Sequence, residues 1–267
     1  MRIATWNING LKARREELVR WLREDRPDVV GMQETKTDDD AFRTHYQPVF
    51  EAEGYDAASH GQQGRCGVAI LSKEPLTVIR EGLPRQEDMG ARLLTVETAE
   101  VSFTTVYVPS ASAEDRSKVE RKVKRKLAWL DSLSEHLRER GGKGGPAVLC
   151  GDFNIAPEPI DDWKHWHSKG RGKKEPGSRD DERSRIRSLS QAGWADLLRE
   201  LDPKGRLFSW WGRPNLYLQN KGLRLDLVLG NSAAVDRLQS ARIVHGPYEN
   251  RGRTGKPDHA PVIVDLA

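Results

Sequence analysis

The chain has 267 residues, 31% charged and 36% hydrophobic, with 44 Lys and Arg against 40 Asp and Glu for a net charge of +4. That balance is a folded globular one rather than a disordered one, and no apolar run reaches the roughly 18 residues of a membrane span. Cys66 and Cys150 lie too far apart in sequence for a Cys-x-x-Cys metal or redox pair, and each sits in an apolar strand-like run, so both are expected to be buried free thiols.

Residues 1–6 read as a strand and carry no basic leader followed by an apolar stretch, so the expected location is the cytoplasm. Leu11, Leu18, Trp21 and Leu22 then share one face of a helix that should end before Pro27. Residues 28–32 form the next buried strand, and a second helix is expected over 39–52. Strands at 55–58, 67–72, 92–98 and 101–108 follow in a meander-like block. A long helix is expected over 113–140, where Val119, Val123, Leu127, Leu130 and Leu133 recur at steps of three and four. It stops at the glycine-rich stretch 141–146. The second half repeats the alternation, with a strand at 147–150, a helix within 183–198, and strands at 208–211, 224–230 and 261–266. No fixed-period repeat is present. Strands on both sides of the glycine-rich stretch carry candidate site residues, so residues 1–267 read as one α/β domain.

Positive charge is clustered. Arg116 to Lys126 holds seven Lys or Arg in eleven residues, and Lys164 to Arg187 holds nine more, beside Trp163 and Trp166. The first cluster is equally a solvated helix face. The second is too rich in glycine for a packed helix and reads as an exposed basic loop. Both suit a polyanionic partner.

Breaking a phosphodiester requires an activated water, in-line geometry, charge stabilisation and help for the leaving oxygen. Hard oxygen donors around Mg²⁺ commonly supply these, and an α/β fold places such groups at strand ends. Asn7 and Asn9 follow the first strand and Glu34 the second, although Glu34 alone is equally a structural cap. Asp152 and Asn154 alternate after an apolar strand, where a simple turn explains them equally well. Asp226 lies among apolar residues and so requires a partner; the imidazole of His259 is the candidate.

Taken together, the segments ATWNINGL, GMQETK, VYVPS, CGDFNIAPE, GLRLDLVL and PDHAPVIVDL occur in the order, and with about the spacing, of the exonuclease III family of bacterial nucleases and abasic-site endonucleases. The sequence resembles that family from residue 2 to residue 266. The resemblance implies a four-layered α/β sandwich, two mixed β-sheets packed face to face and flanked by helices, with the site at one end. It implies Glu34 as principal Mg²⁺ ligand beside Asn7, and Asp152 as the group that orients and deprotonates water. Asn154 would bind the scissile phosphate, Tyr107 would donate to a phosphate oxygen or the leaving group, and His259, oriented by Asp226, would stabilise charge. Asp258 would serve a second metal or hold the network, and Asp152, Asn154 and His259 count among possible metal contacts. Mn²⁺ is a possible substitute, with one or two ions.

The implied activity is cleavage 5′ of abasic sites and 3′-to-5′ exonuclease action on double-stranded DNA, in base-excision repair, by a monomer. Duplexes that are abasic or 3′-blocked are the expected partners. Trp210 and Leu223 align with the wall of a pocket for a base-less sugar, and Arg224 is assigned with them to DNA contact. Trp211 and Leu225 are equally core or pocket residues. Lys169, Arg171, Lys173 and Lys174 are expected to grip the DNA backbone. Two departures mark the match as bacterial in type: Ser110 follows Tyr107-Val108-Pro109 where animal-type members carry Asn, and Asn9 replaces a second acidic ligand. Competing readings are a superfamily phosphodiesterase with another substrate and a catalytically silent nucleic-acid-binding regulator on the same fold. The second requires losses at the site that this sequence does not have. A zinc site at His165 and His167 lacks further ligands at suitable spacing.

Overall fold

The computed structural model describes residues 1–112, 115–140, 144–164, 177–245 and 258–267. Its strands are β1 (Arg2–Asn7), β2 (Val29–Gln33), β3 (Asp56–His60), β4 (Val68–Ser72), β5 (Thr77–Glu81), β6 (Leu93–Glu97), β7 (Ser102–Tyr107), β8 (Ala147–Asp152), β9 (Ala195–Asp196), β10 (Asp226–Gly230), β11 (Leu238–Ile243) and β12 (Val262–Leu266). They form two six-stranded sheets, ordered β11-β12-β1-β2-β4-β3 and β5-β6-β7-β8-β10-β9. Each sheet is mixed. Its centre is one parallel pair, β1 with β2 and β7 with β8, and every other pairing is antiparallel.

The period-two pattern of these strands buries one face of each sheet against the other. Ile3, Val29, Val68 and Ile70 of the first sheet meet Leu94, Val96, Phe103, Val148 and Val228 of the second. Each such side chain contributes roughly 1.5–3 kcal/mol on leaving water. Gly31 lets the sheets approach closely, because a Cβ there would lie 2.7 Å from Thr105 Oγ1 and 2.9 Å from Cys150 Sγ. Helices cover the outer faces. Leu11–Asp25 packs Leu11, Leu18, Trp21 and Leu22 on the first sheet, with Trp21 edge-on to Trp6 at 5.3 Å. Val119–Arg140 and Asp180–Gln191 pack Trp129, Leu130, Leu133, Ile186 and Leu189 on the second. The result is the four-layered α/β sandwich expected.

The differences from expectation are local. The segment 39–52 is two helices, Asp39–His45 and Gln47–Ala52, because Pro48 in the first turn of the second has no N–H to continue the first. The long helix starts at Val119, after a 3₁₀ turn at Arg116–Lys118, rather than at 113. Residues 208–211 form no strand. Trp210 makes only isolated bridges, to Leu223 and His259, while Phe208 and Trp211 turn into a small core of their own. The edge strands β5 and β11 lacked a buried alternation to announce them. Cys66 and Cys150 are buried free thiols as expected. No helix among the described residues is long and apolar enough to cross a membrane.

Candidate active site

The parallel central pairs bring the C-terminal ends of β1, β2, β7 and β8 to one end of the sandwich, and antiparallel β10 and β12 begin there. Asn7 closes β1, and Glu34 follows β2. Tyr107 closes β7, and Asp152 closes β8. In register, Tyr107 faces Asp152 and Asp152 faces Asp226, so three polar residues stand in one row across the second sheet. The loops that follow are unusual. Asn9, Glu34, Lys36 and Asn154 have φ of 49°, 53°, 55° and 51°, a left-handed region that non-glycine residues seldom adopt outside constrained sites.

One amide joins the two halves. Asn7 Nδ2 donates to Glu34 Oε1 at 3.0 Å and to Asp152 Oδ2 at 2.9 Å, so a carboxylate from each sheet shares it. Its Oδ1 accepts the Asn9 N–H at 3.1 Å. Asp152 Oδ1 accepts the Asn154 N–H at 2.8 Å, and the Asn154 amide donates to Val108 O at 3.0 Å and to Asp152 Oδ2 at 3.3 Å. On the other flank Asp226 Oδ2 accepts the Ser209 hydroxyl at 2.6 Å and meets His259 Nδ1 at 2.8 Å. The pair anticipated for buried Asp226 therefore forms. His259 Nε2 lies 3.8 Å from Asp152 Oδ2, and Trp6 Nε1 donates to the His259 carbonyl at 3.3 Å, fixing its backbone. Asp258 accepts from Asn9 Nδ2 at 3.2 Å and from Trp210 Nε1 at 3.3 Å.

These contacts set the charge states. Burial pushes Asp152 up to about 7, opposed by His259 and assisted by the nearby charge of Asp226. Burial alone would lower His259, but the Asp226 and Asp152 carboxylates outweigh it and hold the imidazole well above its ordinary value. Burial and the Glu34 and Asp152 charges drive the Tyr107 phenol far above its usual range, so it remains a hydrogen-bond donor. For Glu34, burial is outweighed by hydrogen bonds from Asn7, Lys36 and Tyr107, which keep it ionised. Asp258 is likewise lowered, burial being outweighed by His259 and by Asn9.

Asp152, Asp226 and His259 present ligand atoms within 4.8 Å of one another. That trio is a poor seat for a hard cation, because His259 Nδ1 is committed to Asp226 and the raised imidazole carries positive charge. Glu34 suits one better. Its side chain retains 19% exposure, and Lys36 Nζ sits 3.0 Å from Oε2, so one cation already pairs with that carboxylate. Asp152 lies one amide away, and four carboxylates (Glu34, Asp152, Asp226, Asp258) outnumber Lys36 and His259. The donor set is oxygen-rich and net negative, which fits a divalent hard cation.

Asn7, Glu34, Tyr107, Asp152, Asn154, Asp226, Asp258 and His259 thus converge. Trp210 and Leu223 are half-buried neighbours bridged to each other, with Trp210 also bridged to His259. Trp211 and Leu225 are buried at 2% and 6% exposure, which makes them packing residues. Arg224 is a correction. Instead of facing DNA it is fully buried, with Nε and Nη2 on Asp161 at 2.6 and 3.0 Å and Nη1 on Asp196 at 2.7 Å. Asp161, which closes the 3₁₀ turn Pro159–Asp161, and Asp196 lie 63 and 28 residues from Arg224 in sequence, and no local pattern signals that pairing. Lys169, Arg171, Lys173 and Lys174 lie outside the described residues. Two contributors went unread in the sequence. Ser209 supports Asp226, and Arg92 stacks its guanidinium 4.7 Å from the Tyr107 ring centre while donating to the Tyr107 carbonyl at 3.1 Å. Ser209 lay inside the 208–211 stretch expected to be a strand, whereas Arg92 had no local signal.

Comparison with known proteins agrees with this geometry. The model of the endonuclease/exonuclease/phosphatase family matches residues 4–249. The chain is 31% identical to exodeoxyribonuclease III of Haemophilus influenzae over the full length of both proteins. Among solved structures it is similar to an AP endonuclease from Archaeoglobus fulgidus, with TM-score 0.88 and 28% identity, covering 100% of this chain and 99% of that one. A 3′ phosphatase, NExo, from Neisseria, bound to a product DNA hairpin, superposes with TM-score 0.87 and 28% identity, again covering 100% and 99%. With its sheet order, strand-end residues and full-length similarity in agreement, the chain belongs to the endonuclease/exonuclease/phosphatase family, in its exonuclease III branch.

Proposed function

We propose that the protein is a Mg²⁺-dependent DNA repair phosphodiesterase that cleaves 5′ of abasic sites and removes nucleotides or blocks from 3′ ends of double-stranded DNA, acting as a monomer in the cytoplasm. The observation that carries the reading is the buried line Asp226, His259, Asp152, with 2.8 Å between the first two and 3.8 Å between the last two. It sets a positively charged imidazole beside a carboxylate whose proton affinity is raised. Such a pair serves a reaction in which a proton leaves water while charge grows on phosphate.

Glu34 and Asp152, with Asn7 beside them, are the residues that would hold Mg²⁺. When bound, the ion supplies neutralisation of the phosphate charge and polarisation of its oxygens. The chain supplies the remainder. Asp152 accepts a proton from the attacking water at Oδ2, the oxygen nearest His259. Its Oδ1 is held by the Asn154 N–H, which fixes the plane of the carboxylate. His259 stabilises the negative charge that builds on the phosphate oxygens, and Asp226 holds the imidazole through Nδ1, leaving Nε2 toward the site. Tyr107 stays protonated and donates its phenol hydrogen to a phosphate or leaving oxygen. Asn154 orients the phosphate. We assign Trp210 and Leu223, bridged to each other with Trp210 also bridged to His259, to contact with a sugar without its base, so the base-less nucleotide is favoured over an intact one. Mn²⁺ is expected to substitute, and Asp258 with Asn9 holds the rim.

The reading is tested with Asp152→Asn and His259→Ala on a labelled abasic duplex. Each variant should lose turnover by at least about 100-fold while binding the duplex within a few-fold of wild type. Turnover preserved in either variant would remove that residue from the mechanism.

A further inference from the structure

Within the basic run Arg116 to Lys126, Lys126 behaves unlike a solvated helix residue. It sits on the helix Val119–Arg140 and is fully buried, as is its partner Glu182 on the helix Asp180–Gln191. Its ammonium donates to Glu182 Oε1 at 2.7 Å and to the Asn154 carbonyl at 2.7 Å. Glu182 Oε2 in turn accepts the N–H groups of Gly177 at 2.6 Å and Arg179 at 3.2 Å. The Gly177 carbonyl accepts the Ala156 N–H at 2.7 Å, and Arg183 Nε donates to the Ala156 carbonyl at 2.9 Å. Gly177 has φ +91°, and a Cβ there would come within 2.9 Å of the Asn154 carbonyl. The polar contacts close a ring around one backbone oxygen.

A buried ion pair is a weak source of stability, because removing both charges from water offsets most of their attraction. Its position is the informative part. Asn154 is in the left-handed region at φ 51°, a conformation uncommon for residues with a Cβ although asparagine adopts it more readily than most, and the Lys126 bond to its carbonyl holds it there. The same residue's N–H and amide both grip Asp152. A shift of the Asn154 backbone therefore moves the amide and the Asp152 carboxylate together.

We propose that Lys126 is a positioning residue for the phosphodiester reaction: its buried ammonium, matched by Glu182, pins the Asn154 carbonyl and thereby fixes the Asn154 amide and the Asp152 carboxylate in working geometry. The inference rests on the reading that Asp152 and Asn154 act on water and phosphate. Lys126 touches neither and acts through Asn154.

The test uses the full chain and the double variant Lys126→Met/Glu182→Gln. It removes the charge pair together and keeps an amide acceptor for Gly177. Thermal melting, duplex affinity, and kcat and KM on an abasic duplex with Mg²⁺ are measured beside wild type. A melting point near wild type with kcat lowered about 10- to 100-fold is expected, the scale of a small misplacement of reacting groups. KM and affinity should stay within roughly twofold. Wild-type kcat in the folded double variant overturns the inference. If the double variant does not fold, Lys126→Arg takes its place. It keeps the charge opposite Glu182 but moves the donor off the Asn154 carbonyl, and at least about a tenfold loss of kcat at unchanged KM is expected. Unaltered kcat in that variant overturns the inference equally. A wild-type protein that cleaves no DNA overturns both the reading of the site and this inference, whereas an active wild type with undiminished variants overturns this inference alone.

Discussion

Replacing Arg224 with Met separates a buried structural cation from a DNA contact. The guanidinium is fully buried and spends Nε, Nη1 and Nη2 on two carboxylates, at 2.6, 2.7 and 3.0 Å. Its loss leaves Asp161, itself 0% exposed, with Arg199 as the remaining ion-pair partner. Breaking a buried pair from one side costs about 3–5 kcal/mol. At roughly 2–4 °C per kcal/mol for a chain of this class, that is a fall of about 6–20 °C in melting temperature. A residue that touched phosphate would instead lower the dependence of log affinity on log salt by roughly 0.9 per contact. The assay is thermal melting of the Arg224→Met protein, followed by duplex affinity at several salt concentrations below its melting point. A large drop in melting temperature at unchanged salt slope is expected. An unchanged melting temperature with a flatter slope would refute the reasoning and return Arg224 to the DNA interface.

The same cluster predicts an acid limit to stability. Burial raises Asp161, but Arg224 and Arg199 outweigh it and hold the carboxyl below its ordinary value. Because the folded value is the lower one, its contribution is present above the unfolded value of about 3.9 and is lost as pH falls through the folded value. The stability of wild type should therefore fall more steeply than that of Asp161→Asn below about pH 4, as read by denaturant titration at several pH values; parallel curves would contradict the pairing. Asp226→Asn leaves His259 Nδ1 without its carboxylate, and kcat on an abasic duplex should drop about 100- to 10,000-fold with affinity little changed. Retained turnover would mean that the imidazole needs no charge behind it. Glu34→Gln should raise the Mg²⁺ concentration for half-maximal cleavage at least about tenfold, and an unmoved half-saturation point would place the metal elsewhere.

Much of this site could be read from the chain because each residue stood next to a strand that announced itself. Apolar β-branched runs before Asn7, Glu34 and Asp152 located their side chains at strand ends, and one acid among leucines, Asp226, demanded the partner it has in His259. The linkages that hold the set in place were not legible. Asn7 joins Glu34 to Asp152 across the two sheets, 27 and 145 residues away, and no local pattern encodes a contact of that range. Arg224 shows the opposite failure. It was expected, with its neighbour Leu223, to contact DNA, but burial is decided by what the neighbouring elements supply, here Asp161 and Asp196. Lys126 is the same lesson within a basic run, one cation turned inward while the run as a whole reads as surface. The edge strands β5, β9 and β11 were missed for want of a buried face, since period-two burial is the signal by which strands are recognised.

The most direct test is cleavage of a labelled duplex bearing one abasic analogue, beside an intact duplex and a single strand, with Mg²⁺ or with EDTA. Incision 5′ of the analogue and 3′-end shortening of the intact duplex are expected with Mg²⁺, and neither with EDTA. Folded protein that cuts none of the three in Mg²⁺, or that cuts equally well in EDTA, would contradict the account.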